Sequence, residues 1–321
     1  MRILVTGGAG FIGSNFIRRI ADGTIKGISE LTVIDNLTYA GNLENLRDVS
    51  ETRYNFVKGD ICDTNLVQKL VLEVDGIVNF AAESHVDNSI TDPTVFTRSN
   101  VLGVQNILEA MRGSKDKILV QISTDEVYGS IARGSWTEES PLLPNSPYSA
   151  SKSSAEMLIR AYVRTYGIDA RVTRCSNNYG PFHHPEKLIP LFVTNLIRGK
   201  RVPVYGVGSN VRDWLHVDDH CEAIIRVLLN GHKGCIYNVG GGTEISNFEI
   251  TKLILKYMKF DESRIEYVKD RPGHDFRYSL SWSKLQRELD YNPKINFEDG
   301  LKSTIDWYQQ NESWWRPLVK G

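Results

Sequence analysis

Short apolar runs alternate with stretches of helical periodicity through the first half of the chain. The runs Arg2–Thr6, Leu31–Asp35, Tyr54–Lys58, Gly76–Phe80, Lys117–Ser123 and Asp169–Arg174 read as strands. Between them, Ile12–Ala21, Asn65–Leu72, Thr94–Met111 and Tyr148–Tyr166 read as helices. Strand–helix–strand repetition predicts an α/β fold, a parallel sheet covered by helices on both faces. Ligands of such a sheet bind beyond the carboxyl ends of its strands.

The pattern loosens after Arg174. Residues 177–205 contain Pro181, Pro185, Pro190 and Pro203, and read as loops around one helix. A helix near Asp218–Leu229 and a strand near Cys235–Val239 are expected to return to the main sheet. Asn247–Met258 and Phe297–Gln310 then fall in a smaller lobe. This divides the chain into a main domain, residues 1–176 and about 211–239, and an interleaved lobe, about 177–210 and 240–321. No internal repeat, low-complexity tract or flexible linker breaks it.

Composition narrows the function. The 321 residues are 41% apolar and 24% charged, enough for a substantial core. A net charge of −1 gives no footprint for nucleic acid or an anionic membrane. No apolar run approaches the roughly 18 residues of a spanning helix, and Ile3-Leu4-Val5 lacks the flank and cleavage pattern of a signal peptide. The expectation is a cytoplasmic protein. Cys62, Cys175, Cys221 and Cys235 form no CxxC pair, so neither a metal site nor a disulfide framework is expected.

The first strand runs into Thr6-Gly7-Gly8-Ala9-Gly10-Phe11-Ile12-Gly13. Gly7 suits the turn after the strand, Gly10 lets backbone approach a pyrophosphate, and Gly13 lets helix pack on strand. The helix N-terminus then offers free N–H groups to phosphates. Glycine patterns also occur in ordinary turns. This one follows a strand, opens a helix and begins the chain, the context of a Rossmann-type dinucleotide site. Asp35 ends the second strand 22 residues after Gly13, where a carboxylate binds ribose hydroxyls and repels a 2′-phosphate, favouring NAD over NADP. Asp60 follows the third strand and reads as an adenine neighbour or a plain turn residue.

Two constellations suggest the chemistry. Tyr148 and Lys152 are four residues apart behind Ser146, an N-cap candidate, and Pro147, a first-turn residue. That spacing puts both on one helix face. A nearby ammonium and a nicotinamide cation would lower the tyrosine pKa, suiting it to remove a hydroxyl proton. At the end of the fifth strand stand Thr124, Asp125 and Glu126. Neighbouring carboxylates push one pKa up, supplying one acid and one base, which elimination of water needs. Adjacent strand residues point to opposite faces, so the pair can share a substrate only if the strand has already ended.

These motifs resemble the extended short-chain dehydrogenase/reductase family, and within it the dTDP-glucose 4,6-dehydratases. The resemblance extends over almost the whole chain, including Ala81-Ala82-Glu83-Ser84-His85-Val86-Asp87, the stretch from Arg174 to Pro181, Pro185 to Pro190, Asn210 to Trp214 and Asp270 to Asp275. The Thr-Asp-Glu triplet is its discriminating part. Related epimerases usually carry small hydroxyl residues there, and related decarboxylases and GDP-mannose dehydratases keep the Glu without the Asp. The resemblance implies that Tyr148 and Lys152 oxidise C4 of the sugar with NAD, Thr124 polarises the C4 oxygen, Glu126 removes the C5 proton, and Asp125 protonates the departing C6 oxygen. It implies cofactor contacts at Gly7, Gly10, Phe11, Ile12, Gly13, Asp35, Asn36, Leu37, Thr38, Asp60, Ile61, Phe80, Ala81, Ala82, Ser84, Ser99 and Asn178, besides Tyr148 and Lys152. It implies nucleotide-sugar contacts at Ser84, Thr124, Asn177, Lys187, Leu188, Pro203, Val204, Tyr205, Arg212, Asn247, Asp270, Arg271 and His274. Arg212 and Arg271 also make sense as diphosphate partners from guanidinium geometry. A homodimer is implied through Thr94–Met111 and Tyr148–Tyr166. Asn88 and Val207 depart from the family, which more often has basic and polar residues there.

Three readings compete: a dTDP-glucose 4,6-dehydratase, another sugar-nucleotide enzyme such as a UDP-glucose dehydratase or a 4-epimerase, and an NAD-sensing binding protein. Asp125-Glu126 speaks against the epimerase, and the full set with Tyr148 and Lys152 against the sensor. Nothing in the residues separates thymidine from uridine. His183 and His184 lack metal-ligand spacing and are not expected to form a site, and Trp307, Trp314 and Trp315 read as packing residues.

Overall fold

The apolar runs become the strands of one parallel sheet. The computed structural model describes residues 1–114 and 116–319. In chain order its elements are β1 (Arg2–Thr6), α1 (Phe11–Ala21), β2 (Glu30–Asp35), β3 (Asn55–Lys58), α2 (Thr64–Leu72), β4 (Gly76–Asn79), α3 (Val86–Thr91), α4 (Pro93–Thr97), α5 (Gly103–Met111), β5 (Ile118–Thr124), α6 (Pro147–Tyr166) and β6 (Asp169–Cys175). There follow β7 (Asn177–Tyr179), α7 (Leu188–Ile197), β8 (Val202–Tyr205), β9 (Val211–His216), α8 (Val217–Asn230), β10 (Ile236–Val239), β11 (Glu244–Ser246), α9 (Asn247–Tyr257), β12 (Ile265–Val268), α10 (Ser283–Leu289) and α11 (Phe297–Gln310).

The seven-stranded sheet has the order β3-β2-β1-β4-β5-β6-β10, and every pairing in it is parallel. This is the doubly wound arrangement. The order reverses between β1 and β4, where the carboxyl ends diverge and a crevice opens. Side chains alternate across the sheet as the pleat requires. Ile3, Val5 and Val33 face a core with Phe16 and Ile17 of α1 and Ile224 and Leu228 of α8. Leu4, Ile34, Ile77 and Leu119 face the other layer, with Val67 of α2, Leu108 of α5 and Ile159 of α6.

A third core lies apart from the sheet. Tyr179, Phe192, Val193, Trp214, Ile250, Leu301, Tyr308, Trp314 and Trp315 pack together, so Trp314 and Trp315 are packing residues as expected. Two small sheets frame this core, β11-β9-β7 and β12-β8. Residues 177–205 thus contain two strands as well as a helix, where the sequence suggested loops around one helix. Three and four residues are too few to display a period. Pro203 is tolerated in β8 because, among the described residues, that strand pairs with β12 alone and is an edge strand.

The stretch expected as one helix, Thr94–Met111, is in fact α4 and α5 joined by a π-helical turn at Arg98–Leu102. Inside that turn Asn100 is buried. Its side chain accepts from the Glu83 amide at 2.9 Å and donates to the Glu83 carbonyl at 3.0 Å and to Ser151 Oγ at 2.9 Å. The turn therefore ties the loop after β4 to α6, the two walls of the crevice.

Candidate active site

The glycine turn is shaped by close approach. Gly7 has φ +66°, and a Cβ there would lie 2.6 Å from the Ala81 amide nitrogen at the end of β4. A Cβ at Gly13 would lie 2.4 Å from the Gly7 carbonyl oxygen. Any larger residue would push apart the strand ends or the turn and α1. α1 begins after Gly10 with no side-chain cap, so its first N–H groups remain available to an anion.

Asp35 is buried and accepts hydrogen bonds from the Ala9 amide at 2.9 Å and the Leu37 amide at 2.8 Å. Burial pushes its pKa up, and the two amide bonds pull against that. It holds the turn as well as facing the cleft. Asp60 accepts from the Cys62 amide at 2.8 Å and pairs with Arg98 at 3.4 Å.

The strand problem at the reacting end is resolved by the backbone. β5 stops at Thr124, and residues Asp125–Tyr128 turn at once into a 3-10 helix. Thr124 caps that turn, its Oγ1 accepting from the Glu126 amide at 3.3 Å and donating to Asp125 Oδ1 at 3.2 Å. Leaving the extended conformation lets Asp125 and Glu126 line the same cleft. Asp125 is buried, and its Oδ2 has no hydrogen-bond partner among the described residues. Burial, then the Glu126 charge, holds its pKa well above the usual carboxylate range. Burial also raises Glu126, but Arg271, Arg212 and Lys187 oppose the shift.

Ser146 and Pro147 start α6 as expected, with a reciprocal capping box between Ser146 and Ser149. Tyr148 and Lys152 are buried on the face turned to β5, and Lys152 Nζ donates to the Ile122 carbonyl at 2.6 Å. Among the polypeptide's own groups, burial first and then the Glu126 charge raise the Tyr148 pKa, while the Thr124 hydroxyl bond pulls it down. The Lys152 ammonium rests on that backbone carbonyl, and burial pushes its own pKa down to about 8.

A single cleft of about 470 Å³ collects almost all the expected positions, a size typical of ligand sites. On the nucleotide-turn side it is lined by Gly7, Gly10, Phe11, Ile12, Gly13, Asp35, Asn36, Thr38, Asp60, Ile61, Phe80, Ala81, Ala82, Ser84, Ser99 and Asn178, and at the centre by Thr124, Asp125, Glu126, Tyr148 and Lys152. The far wall has Asn177, Lys187, Leu188, Pro203, Val204, Tyr205, Arg212, Asn247, Arg271 and His274. Two expected residues do not line it. Leu37, at φ +54°, contributes an amide to Asp35. Asp270 holds His274 Nδ1 at 2.7 Å.

The far wall is rich in cations. Arg212 donates to the Asp275 carbonyl at 2.9 Å and lies over the Tyr278 ring at 4.3 Å, while Arg271 reaches Asp87 at 3.5 Å. Lys187 Nζ donates to the Ser84 carbonyl at 2.9 Å. Buried polar atoms without a hydrogen-bond partner among the described residues gather around the cleft: Asp125 Oδ2, Trp214 Nε1, Asn247 Oδ1, His85 Nδ1 and His183 Nδ1. Unpaired buried polar groups are costly, and their concentration here suits a polar ligand.

Several wall residues escaped the sequence reading. His183 stacks on Phe11 with centroids 4.1 Å apart, and His184, Glu186 and Asp87 also face the cleft. The histidines were weighed only as metal ligands; among the described residues no group of three or more metal-binding side chains exists. Their position just before Lys187 was the available signal. Asn88 and Val207 lie outside the cleft lining. No helix among the described residues is long and apolar enough to cross a membrane.

Comparison with known proteins agrees with this geometry. A family model described as GDP-mannose 4,6 dehydratase matches residues 4–304. The dTDP-glucose 4,6-dehydratase of Streptomyces niveus is 54% identical over 321 residues, 99% of this chain and 96% of its own. A solved dTDP-glucose 4,6-dehydratase from Streptomyces venezuelae with NAD bound superposes with a TM-score of 0.97 at 54% identity, covering 99% of this chain and 100% of the other. UDP-glucose 4-epimerase from Thermotoga maritima shares the fold more distantly, with a TM-score of 0.89 at 28% identity over 97% of this chain and 100% of the other. Agreement along nearly the whole length, with the sheet order and the glycine turn already in place, makes the chain a member of the GDP-mannose 4,6 dehydratase family, among the NAD-dependent epimerases and dehydratases of the short-chain dehydrogenase/reductase fold.

Proposed function

We propose that the protein catalyses the 4,6-dehydration of dTDP-glucose, giving dTDP-4-keto-6-deoxyglucose and water with NAD as a regenerated cofactor. The carrying observation is Asp125 and Glu126 turned into one cleft beside Tyr148. The relatives named for this reaction, and their NAD-bound structures, support it. Four features fit NAD: the Gly7 and Gly13 contacts that any Cβ would block, the uncapped start of α1, Asp35 at the end of β2, and the buried Tyr148–Lys152 pair. When bound, NAD takes hydride from C4 of the sugar and returns it to C6.

In this reading Gly10 to Gly13 hold the pyrophosphate, Asp35 the adenosine ribose, and Lys152 the nicotinamide ribose. Thr124 holds the C4 oxygen and Tyr148 removes its proton. Burial and the Glu126 charge raise the Tyr148 pKa, and the cation brought by the cofactor would oppose that shift. The ketone at C4 acidifies the C5 proton, which Glu126 takes. Asp125, whose pKa burial and the Glu126 charge raise, gives its proton to the C6 hydroxyl as water leaves. Arg212, Arg271 and Lys187 offset the diphosphate charge. In this reading residues 1–176 and about 211–239 carry most of the cofactor contacts, and about 177–210 and 240–321 most of the nucleotide-sugar contacts. The work belongs in the cytoplasm, where both small molecules are met.

Mass spectrometry after incubation with dTDP-glucose in heavy water, with UDP-glucose in parallel, tests this. The expected product has lost one water and retains one solvent deuterium at C5, and the relative rates identify the nucleotide. An isomerised sugar without mass loss would move the reading to an epimerase.

The assembly in this reading is a homodimer through the α4–α5 segment and α6. Val95, Leu102 and Met157 are exposed apolar residues on these neighbouring elements. Sedimentation should show a dimer, and Leu102→Glu should shift it to monomer; a wild-type monomer would end the dimer reading.

A further inference from the structure

The glycine turn is held from outside by the far end of the chain. Ala9 is buried in the turn between Gly7 and Gly10, which both line the cleft. Its carbonyl accepts from the Asn42 amide at 3.0 Å and from Asn45 Nδ2 at 2.7 Å. Asn45 is 2% exposed, and its Oδ1 accepts from Trp314 Nε1 at 2.9 Å. Trp314 is 4% exposed and packs edge-on against Phe182 and Trp307 in the third core. One indole hydrogen bond therefore connects the core of the far lobe, through a single asparagine, to the backbone of the nucleotide turn. Trp314 also borders the cleft itself.

We propose that Trp314 is a positioning residue for cofactor retention: by fixing Asn45, and through it Ala9, it keeps the nucleotide turn in its binding conformation and slows loss of NAD. This rests on the reading that NAD occupies the cleft. It goes beyond that reading by assigning a cofactor-holding role to a tryptophan distant in sequence from every nucleotide motif. A reaction that regenerates its cofactor within each cycle gains nothing from releasing it, so a second lobe that locks the turn serves the chemistry. The energetic reason is local. Without the indole donor, Asn45 Oδ1 is left buried and unpaired, and the amide can rotate away from Ala9.

Trp314→Phe keeps an aromatic ring and deletes only the donor. The holoenzyme is loaded with labelled NAD, and release is followed during a chase with unlabelled NAD. Release is expected to accelerate about tenfold, the effect of one buried hydrogen bond, and added NAD should restore turnover in the variant. Trp315→Phe is the matched control: it deletes an equally buried indole bond, to the Tyr308 carbonyl at 2.8 Å, on the neighbouring residue. It should leave release unchanged while lowering thermal stability comparably. Should Trp314→Phe not fold, Asn45→Ala breaks the same link from the other end and should accelerate release at least as much. Unchanged release in Trp314→Phe, or equal acceleration in Trp315→Phe, overturns the proposal. A wild-type protein that binds no NAD overturns both this and the cofactor reading; NAD binding without turnover of dTDP-glucose touches only the reaction.

Discussion

Glu126→Gln is expected to lower dehydration on the order of 10²–10⁴-fold, the usual contribution of a positioned acid or base, while bound NAD is retained. The amide nearly preserves shape but cannot take the C5 proton. Oxidation at C4 precedes that step, so the variant should still reduce its cofactor on mixing with dTDP-glucose and then stall, visible as persistent absorbance of the reduced nicotinamide. Solvent deuterium should not enter C5. Tyr148→Phe should give the opposite signature, no reduced cofactor at all. Equal loss of NAD from both variants would sink these assignments.

The pH dependence follows from the same carboxylates. In the proposed mechanism Glu126 works ionised, and burial raises its pKa. A raised carboxylate binds its proton at higher pH, so turnover should fall with acidification through a group above the ordinary glutamate value. In the proposed mechanism Asp125 works protonated, and burial and the Glu126 charge raise its pKa in the direction that role requires. Lys152, pushed down to about 8, loses its charge on the alkaline side and sets the other limb. A profile whose acid limb lies at or below the ordinary glutamate value would contradict the role of Glu126.

Glu156→Ala is expected to cost about 3–5 kcal/mol of stability, because it strands a buried guanidinium. Glu156 and Arg174 have side chains 1% and 2% exposed and meet at 2.5 Å. Ser123 Oγ donates to the same carboxylate, and Arg174 Nη1 donates to the Tyr128 hydroxyl at 2.6 Å, which in turn donates to Asn238 Oδ1 at 2.8 Å. The network ties β5, β6, β10 and α6 together behind the reacting residues. Replacing both members, Glu156→Leu with Arg174→Met, should cost far less than the single change, since the buried charge goes with its partner. Denaturant unfolding of the three variants measures this; a single-variant cost below about 1 kcal/mol would mean water or another group reaches Arg174.

The parts of this protein that were legible in its sequence are those governed by neighbours along the chain. β1 has the expected bounds, and β2, β4, β5 and β6 lie within a residue of theirs. Period-two burial, helix capping at Ser146 and the Gly7–Gly13 turn are local rules, and a local rule can be read from local residues. Tyr148 and Lys152 share a face because helix geometry alone puts them there. The same holds for the types of chemistry: two carboxylates beside a hydroxyl announce an acid and a base wherever they end up.

Tertiary structure decided what depends on partners far away in sequence. The three residues of β7 become a strand only because β9 lies alongside. Asn100 gained its role when a π turn brought it between Glu83 and Ser151, and Trp314 gained its contact with Asn45 across 269 positions. Whether Asp125 and Glu126 could share a substrate turned on where β5 stopped. Burial and the Glu126 charge, both set by packing, act on the pKa of Tyr148. Spacing determines which side chains share a face; the dielectric and the charges around them come from the packed whole.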